Sequence, residues 1–169
     1  MKRISNYNRF RYITRAGIIA AVYIVLTGLS AVFGMSSGIV QVRISEALCV
    51  LPVICSAAIP GVTLGCFISN LFFGGTVFDI VFGTLATFVG AVIARFMKKM
   101  PYLSPIPTVI VNTAVIPCVL VLSGLGEWEM FPYFALMVGV GEIISCGLFG
   151  DFFLFLIKKT PVLIDTVSD

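Results

Sequence analysis

Histidine is absent from this sequence and charge is scarce, with 11 Lys and Arg and 8 Asp and Glu among 169 residues. The lack of histidine removes the commonest general base and the commonest imidazole metal ligand. No Gly-x-x-x-x-Gly-Lys-[Ser/Thr] loop is present to cradle nucleotide phosphates, and no Gly-x-Ser-x-Gly elbow presents a serine nucleophile. The five cysteines, Cys49, Cys55, Cys66, Cys118 and Cys146, form no Cys-x-x-Cys pair and fall in apolar stretches, so they read as small core fillers. No cofactor, no metal and no enzymatic activity are expected. A net charge of +3, scattered along the chain, also makes nucleic acid an improbable partner.

What is abundant is hydrocarbon: 59% of residues are hydrophobic and mean hydropathy is +1.11. This points to an all-α integral membrane protein, a single domain over residues 1–169. Each crossing needs about 20 mostly apolar residues. Spans are expected near 13–33, 43–58, 61–73, 77–97, 106–124 and 132–157. The first is too long for a signal peptide, and Ala31-Val32-Phe33 is a poor cleavage site, so it reads as a permanent helix.

Residues 43–73 could be one overlong helix or two short ones hinged at Pro60-Gly61. Charge decides between them. Lys2, Arg3, Arg9, Arg11 and Arg15 precede the first span, Arg95, Lys98 and Lys99 follow the fourth, and Lys158 and Lys159 follow the last. Placing all three clusters in the cytoplasm requires that 43–73 cross twice. The expected fold is a six-transmembrane-helix bundle with both termini cytoplasmic. Its outer loops, 34–42, 74–76 and 125–131, then contain no lysine or arginine. Arg43 is the one basic residue left on the outer side.

An ionised side chain inside a bilayer costs about 2.5 to 3.5 kcal/mol on insertion scales, so it faces the bundle interior, pairs, or serves function. Arg43 and Glu46, at i and i+3, either pair structurally or line an outward-facing cavity. Asp79 and Asn70 lie at the same expected depth. Thr76 to Asp79 also resembles a helix start, which makes a local cap the alternative for Asp79. Glu142 follows Val138-Gly139-Val140-Gly141 and lies about 15 Å into the last span at 1.5 Å per residue. It carries the strongest functional signal, and the glycines before it permit close approach of a helix or ligand. Asp151 reads as interfacial and falls near the opposite face from Asp79, which argues against an aspartic catalytic pair. Glu127, Trp128 and Glu129 occupy an interfacial loop.

Several acids at outward-facing depth favour binding or transport over a purely structural scaffold held by an Arg43 to Glu46 pair. With no ATP-hydrolysing motif, energy would come from an ion gradient or from partner subunits. Ala16 and Ala20 form Ala-x-x-x-Ala, repeated one residue on by Gly17 and Ala21. Such spacing suits either internal packing or docking of a partner subunit.

The runs Val42-Arg43-Ile44-Ser45-Glu46-Ala47-Leu48, Ile59-Pro60-Gly61, Gly65-Cys66-Phe67-Ile68-Ser69-Asn70, Asp79-Ile80-Val81-Phe82-Gly83-Thr84-Leu85-Ala86-Thr87 and Val138-Gly139-Val140-Gly141-Glu142 together resemble the QueT family of queuosine-precursor transporters. The resemblance implies a substrate-binding S component of an energy-coupling factor transporter. Such a component works with a coupling transmembrane subunit and two ATPase subunits, and often docks through an Ala-x-x-x-Ala face on helix one, here Ala16 and Ala20. It further implies a 7-deazaguanine cargo, such as 7-aminomethyl-7-deazaguanine or queuine. The expected substrate-binding residues are Arg43, Glu46, Asn70, Asp79, Phe82 and Glu142. Glu142 or Glu46 would accept the adjacent N–H donors of the guanine-like edge. A second acid would hold the aminomethyl cation, and Phe78, Phe82 or Trp128 would stack on the ring. The alternative is a stand-alone ion- or proton-coupled secondary transporter with Arg43, Glu46 and Glu142 along its path.

Overall fold

Along the first apolar run, Ala16, Ile19, Ala20, Tyr23, Thr27 and Ser30 recur at three- and four-residue intervals and form the buried or half-buried stripe of one helix. That helix, α1, covers Lys2–Val32. The computed structural model describes residues 2–35, 42–73 and 75–160, and of residues 2–8 the backbone alone. Residues 36–41 and Gly74, which fall in expected outer loops, and the side chains of Lys2 and Arg3 therefore lie outside the described residues.

Every described element is helical. After α1 come a 3-10 segment at Ile44–Val53, α2 at Ala58–Phe72, a π turn at Asp79–Gly83 leading into α3 at Thr84–Phe96, and α4 at Pro105–Leu122. The last rod is α5 at Phe131–Glu142, a π segment at Ile143–Phe149 and α6 at Gly150–Lys159. Four stretches are long and apolar enough to cross a membrane: Arg9–Val32, Asp79–Phe96, Pro101–Leu122 and Trp128–Lys159. Ile44–Val53 and Ala58–Phe72 are apolar but shorter. At about 2.0 and 1.5 Å per residue they reach roughly 20 and 22 Å, less than the ~30 Å hydrocarbon core.

The break between these short elements falls at Ile54–Ala57, upstream of the expected Pro60-Gly61 hinge. Pro60 instead occupies the first turn of α2, where its missing N–H costs nothing. Gly61 is a packing residue: a Cβ there would stand 2.9 Å from Ile19 Cβ and 3.0 Å from the Ala16 carbonyl. Gly65, one turn on, lies against Tyr23 in the same way, with Tyr23 Cβ 2.7 Å from where a Cβ would sit. These two glycines bring α1 and α2 into close contact.

Residues Ser45 to Val53 are all buried, so the 3-10 segment runs through the middle of the bundle. A ten-residue 3-10 run is unusual, and its ends are satisfied by its neighbours. No side chain of its own caps it. Instead Arg43 N donates to Ser145 Oγ at 3.1 Å and Ile44 N to Ser30 Oγ at 3.1 Å, which provides partners for N-terminal amides that a short helix leaves open. At the other end Arg95 Nη1 donates to the Pro52 carbonyl at 3.0 Å.

Contacts also sort the helix ends. Arg95 meets Pro52, Tyr12 OH reaches Ser56 O at 3.5 Å, and Lys158 Nζ lies 4.7 Å from the Tyr102 ring centre. The basic clusters around residues 9–15, 95–99 and 158–159 thus share one end of the bundle. The opposite end joins Arg43 to Asn70, Asn70 to Asp79, and Thr76 to Ser123. There α1 and α4 both stop at glycines with positive φ, Gly34 at 69° and Gly124 at 77°. Each is followed by an amide that reaches back to the helix, Met35 N to Ser30 O and Leu125 N to Leu120 O, a closure that favours glycine.

Candidate small-molecule site

Arg43, Glu46, Asn70, Asp79 and Glu142 come from four separate stretches of sequence, and all five line one cavity. Cys66, Gly83, Thr87, Asn112, Ile116 and Val138 complete it. Its free space is about 30 Å³, room for about two water molecules. The floor is the start of the 3-10 segment. Around it stand the end of α2, the π turn before α3, the middle of α4, and the point where α5 passes into its own π segment. π turns are frequent at functional sites, and both of those among the described residues border this cavity.

An Arg43 to Glu46 ion pair, one of the two readings of their spacing, is not what holds these residues. Arg43 Nη1 donates to Asn70 Oδ1 at 3.2 Å. Asn70 Nδ2 in turn donates to the Asp79 carbonyl at 3.1 Å. Glu46 receives its bonds from elsewhere: Tyr23 OH donates to Oε1, and Cys49 Sγ donates to Oε2 at 3.1 Å. The i, i+3 spacing that suggested a pair to Arg43 serves Cys49, because 3-10 geometry eclipses residues three apart. Glu46 is only 2% exposed.

Asp79 combines both of its expected readings. Its Oδ2 accepts from Thr76 N at 3.0 Å and Thr76 Oγ1 at 2.8 Å, while Thr76 Oγ1 accepts from Asp79 N at 3.2 Å. That reciprocal arrangement is a capping box. The residue nevertheless lines the cavity. Gly75 makes the turn before it possible, since a Cβ there would lie 2.7 Å from the Asn70 carbonyl.

Glu142 is held on one side only. Asn112 Nδ2 donates to Oε1 at 2.9 Å. Glu142 Oε2 and Asn112 Oδ1 are buried and have no hydrogen-bond partner. Of the glycines before it, Gly139 packs on α4, where a Cβ would come 3.4 Å from Thr113.

Phe82 does not reach the cavity. It stacks on Phe78 with ring centres 6.4 Å apart, and the two residues are 43% and 40% exposed on the outer surface of the bundle. Trp128 is 61% exposed in the turn before α5. Among the described residues, the cavity lining therefore contains no aromatic ring. Asp151 borders a separate apolar groove with Tyr102, Ile106 and Gly147. Ala20 is buried and Ala16 half-buried on the α1 stripe that packs against α2, whereas Gly17 and Ala21 face outward. Among the described residues no group of three or more His, Cys, Asp or Glu is placed to hold a metal ion.

Two residues that matter here escape a reading confined to charges. Asn112 is a lone amide in the apolar run Val109 to Val115, apart from Thr113, and the cost of burying an unpaired polar group applies to it as to a carboxylate. Tyr23 lies mid-span, away from the interfaces where tyrosine concentrates. That displacement is the signal for its buried hydroxyl partner.

The family described as QueT transporter matches this chain over residues 13–159. Queuosine precursor transporter QueT of Lactococcus lactis subsp. cremoris (strain MG1363) is 36% identical over 89 residues, covering 53% of this chain and 50% of that protein. The matched part thus spans about half the length of that curated relative. No solved structure matches.

Proposed function

Because the chain belongs to the QueT transporter family, we propose that it is the substrate-binding subunit through which a queuosine precursor, a 7-deazaguanine such as 7-aminomethyl-7-deazaguanine or queuine, enters the cell. It is a multi-pass protein of the cell membrane. In the proposed topology the two short helices also cross, giving six spans in one domain. The shared basic end then faces the cytoplasm, with both termini there.

One observation carries the assignment of the site: a buried carboxylate oxygen, Glu142 Oε2, without a donor in a cavity inside a transporter. Such an atom costs about 1–3 kcal/mol or more unless something partners it. A 7-deazaguanine offers adjacent N–H donors on its guanine-like edge. Glu142 is the better candidate for that edge, because both oxygens of Glu46 are already engaged by Tyr23 and Cys49. Arg43 and Asn70 face the ring's carbonyl, and Asp79 attracts the aminomethyl cation. With no aromatic in the lining, the flat ring rests against Ile116, Val138 and Gly83. A bicyclic base exceeds the present space, so the helices lining the site part to admit it.

For energy we propose association with a coupling transmembrane subunit and two ATPase subunits, in keeping with the missing phosphate loop. Docking on α1 would use the outward Gly17 and Ala21 beside the half-buried Ala16. The test is twofold. Thermal shift with 7-deazaguanines should raise the melting temperature, and affinity purification should recover ATPase and coupling subunits. Uptake by this chain alone, driven by a proton gradient, would instead establish a secondary transporter.

A further inference from the structure

Asn112 and Glu142 form one unit. With Glu142 ionised the group only accepts, so the Asn112 amide turns Nδ2 toward Glu142 Oε1, at 2.9 Å, which leaves the amide oxygen outside that bond. Each group is left with one oxygen, Asn112 Oδ1 and Glu142 Oε2, buried and without a partner. Both residues line the same cavity. Unsatisfied buried acceptors are rare in folded proteins and call for an explanation. Here there are two, on neighbouring groups held together by their own hydrogen bond. With Glu142 ionised, the pair presents acceptors only.

We propose that Asn112 is a specificity-determining residue whose Oδ1 acts with Glu142 Oε2 as a two-acceptor edge, selecting bases that carry an exocyclic amine beside a ring N–H. This rests on the proposed 7-deazaguanine cargo. Glu142 takes the ring N–H and Asn112 takes the amine. A base with the ring N–H and no amine leaves Asn112 Oδ1 buried and unpaired, and the protein disfavours it for that reason. Asn112 therefore does more than orient Glu142. A residue that only oriented the carboxylate would strengthen binding of both bases equally.

The experiment measures binding of 7-aminomethyl-7-deazaguanine and its 2-deamino counterpart to the purified full chain by calorimetry. Wild type should prefer the amino compound by about 10- to 100-fold. Asn112→Leu should weaken both ligands and bring that ratio to within about threefold of one. Equal binding of the two ligands to wild type would overturn the inference without any variant, even if Asn112→Leu fails to fold. An undiminished ratio in a folded Asn112→Leu protein would overturn it too, leaving Asn112 a positioning residue. Binding of neither ligand to wild type would sink the cargo assignment on which the inference rests.

Discussion

Glu46 belongs to the wall built by α1, the 3-10 segment and α2, where both its oxygens accept hydrogen bonds from the protein itself. Glu142 belongs to the wall built by α4 and α5, where Asn112 engages one oxygen and the other has no partner. These are two carboxylates of the same type lining one cavity. Their neighbours separate their tasks: a saturated carboxylate ties helices together, and a half-saturated one has capacity for a ligand. The contrast extends to the helices themselves. Gly61 and Gly65 press α2 onto α1, while α4 carries Pro117 in its interior and α5 runs into seven residues of π geometry. Each wall also has its own departure from α geometry, the ten-residue 3-10 segment with Pro52 in the first and the π segment in the second.

Substitutions can break this contrast. The largest effect is expected from Glu142→Gln, which should weaken 7-aminomethyl-7-deazaguanine binding by two orders of magnitude or so. Its unliganded melting temperature should stay close to wild type; unchanged affinity by calorimetry would end the distinction between the walls. Glu46→Gln should do the reverse, lowering stability by about 1–3 kcal/mol in detergent unfolding while affinity moves only a few-fold. A stable Glu46→Gln protein that no longer binds would exchange the roles of the two residues. Gly65→Ala forces a methyl against Tyr23 and should cost on the order of 1–3 kcal/mol, read as an earlier melt with the ligand response retained. Thr76→Ala removes the capping box with Asp79 and should cost about 1 kcal/mol. The smallest effect is reserved for Phe82→Leu, whose ring lies outside the cavity: affinity should stay within about twofold of wild type, and a larger loss would return the aromatic to the site.

The sequence made the helices legible wherever an apolar run was long, because a membrane span is a composition signal about 20 residues wide. It also pointed to five of the eleven residues that line the cavity, since Arg43, Glu46, Asn70, Asp79 and Glu142 stand out against hydrocarbon. Three things could not be read from it. The 3-10 geometry of Ile44–Val53 depends on Ser30, Ser145 and Arg95, which are remote in sequence and close only after folding. The Arg43 to Glu46 spacing fitted an α-helical pair, but the local geometry gives Glu46 to Cys49 and Tyr23. Phe82 was placed by its neighbours in sequence, and helix rotation turned it outward. Asn112 and Tyr23 were detectable in principle, because a mid-span amide or phenol carries the same burial cost that drew attention to the charges.

The contact between Gly65 and Tyr23 has a consequence for how this protein can change over generations. Tyr23 holds Glu46, and Tyr23 has its place because position 65 has no side chain. A mutation in the helix seam is therefore also a mutation of the site's chemistry, and neither can drift without the other. Asn112 and Val138 line the cavity from α4 and α5, and neither takes part in the Gly65–Tyr23 contact. Lineages that acquire a different cargo are expected to vary there first, with Gly65, Tyr23 and Glu46 inherited together as a block.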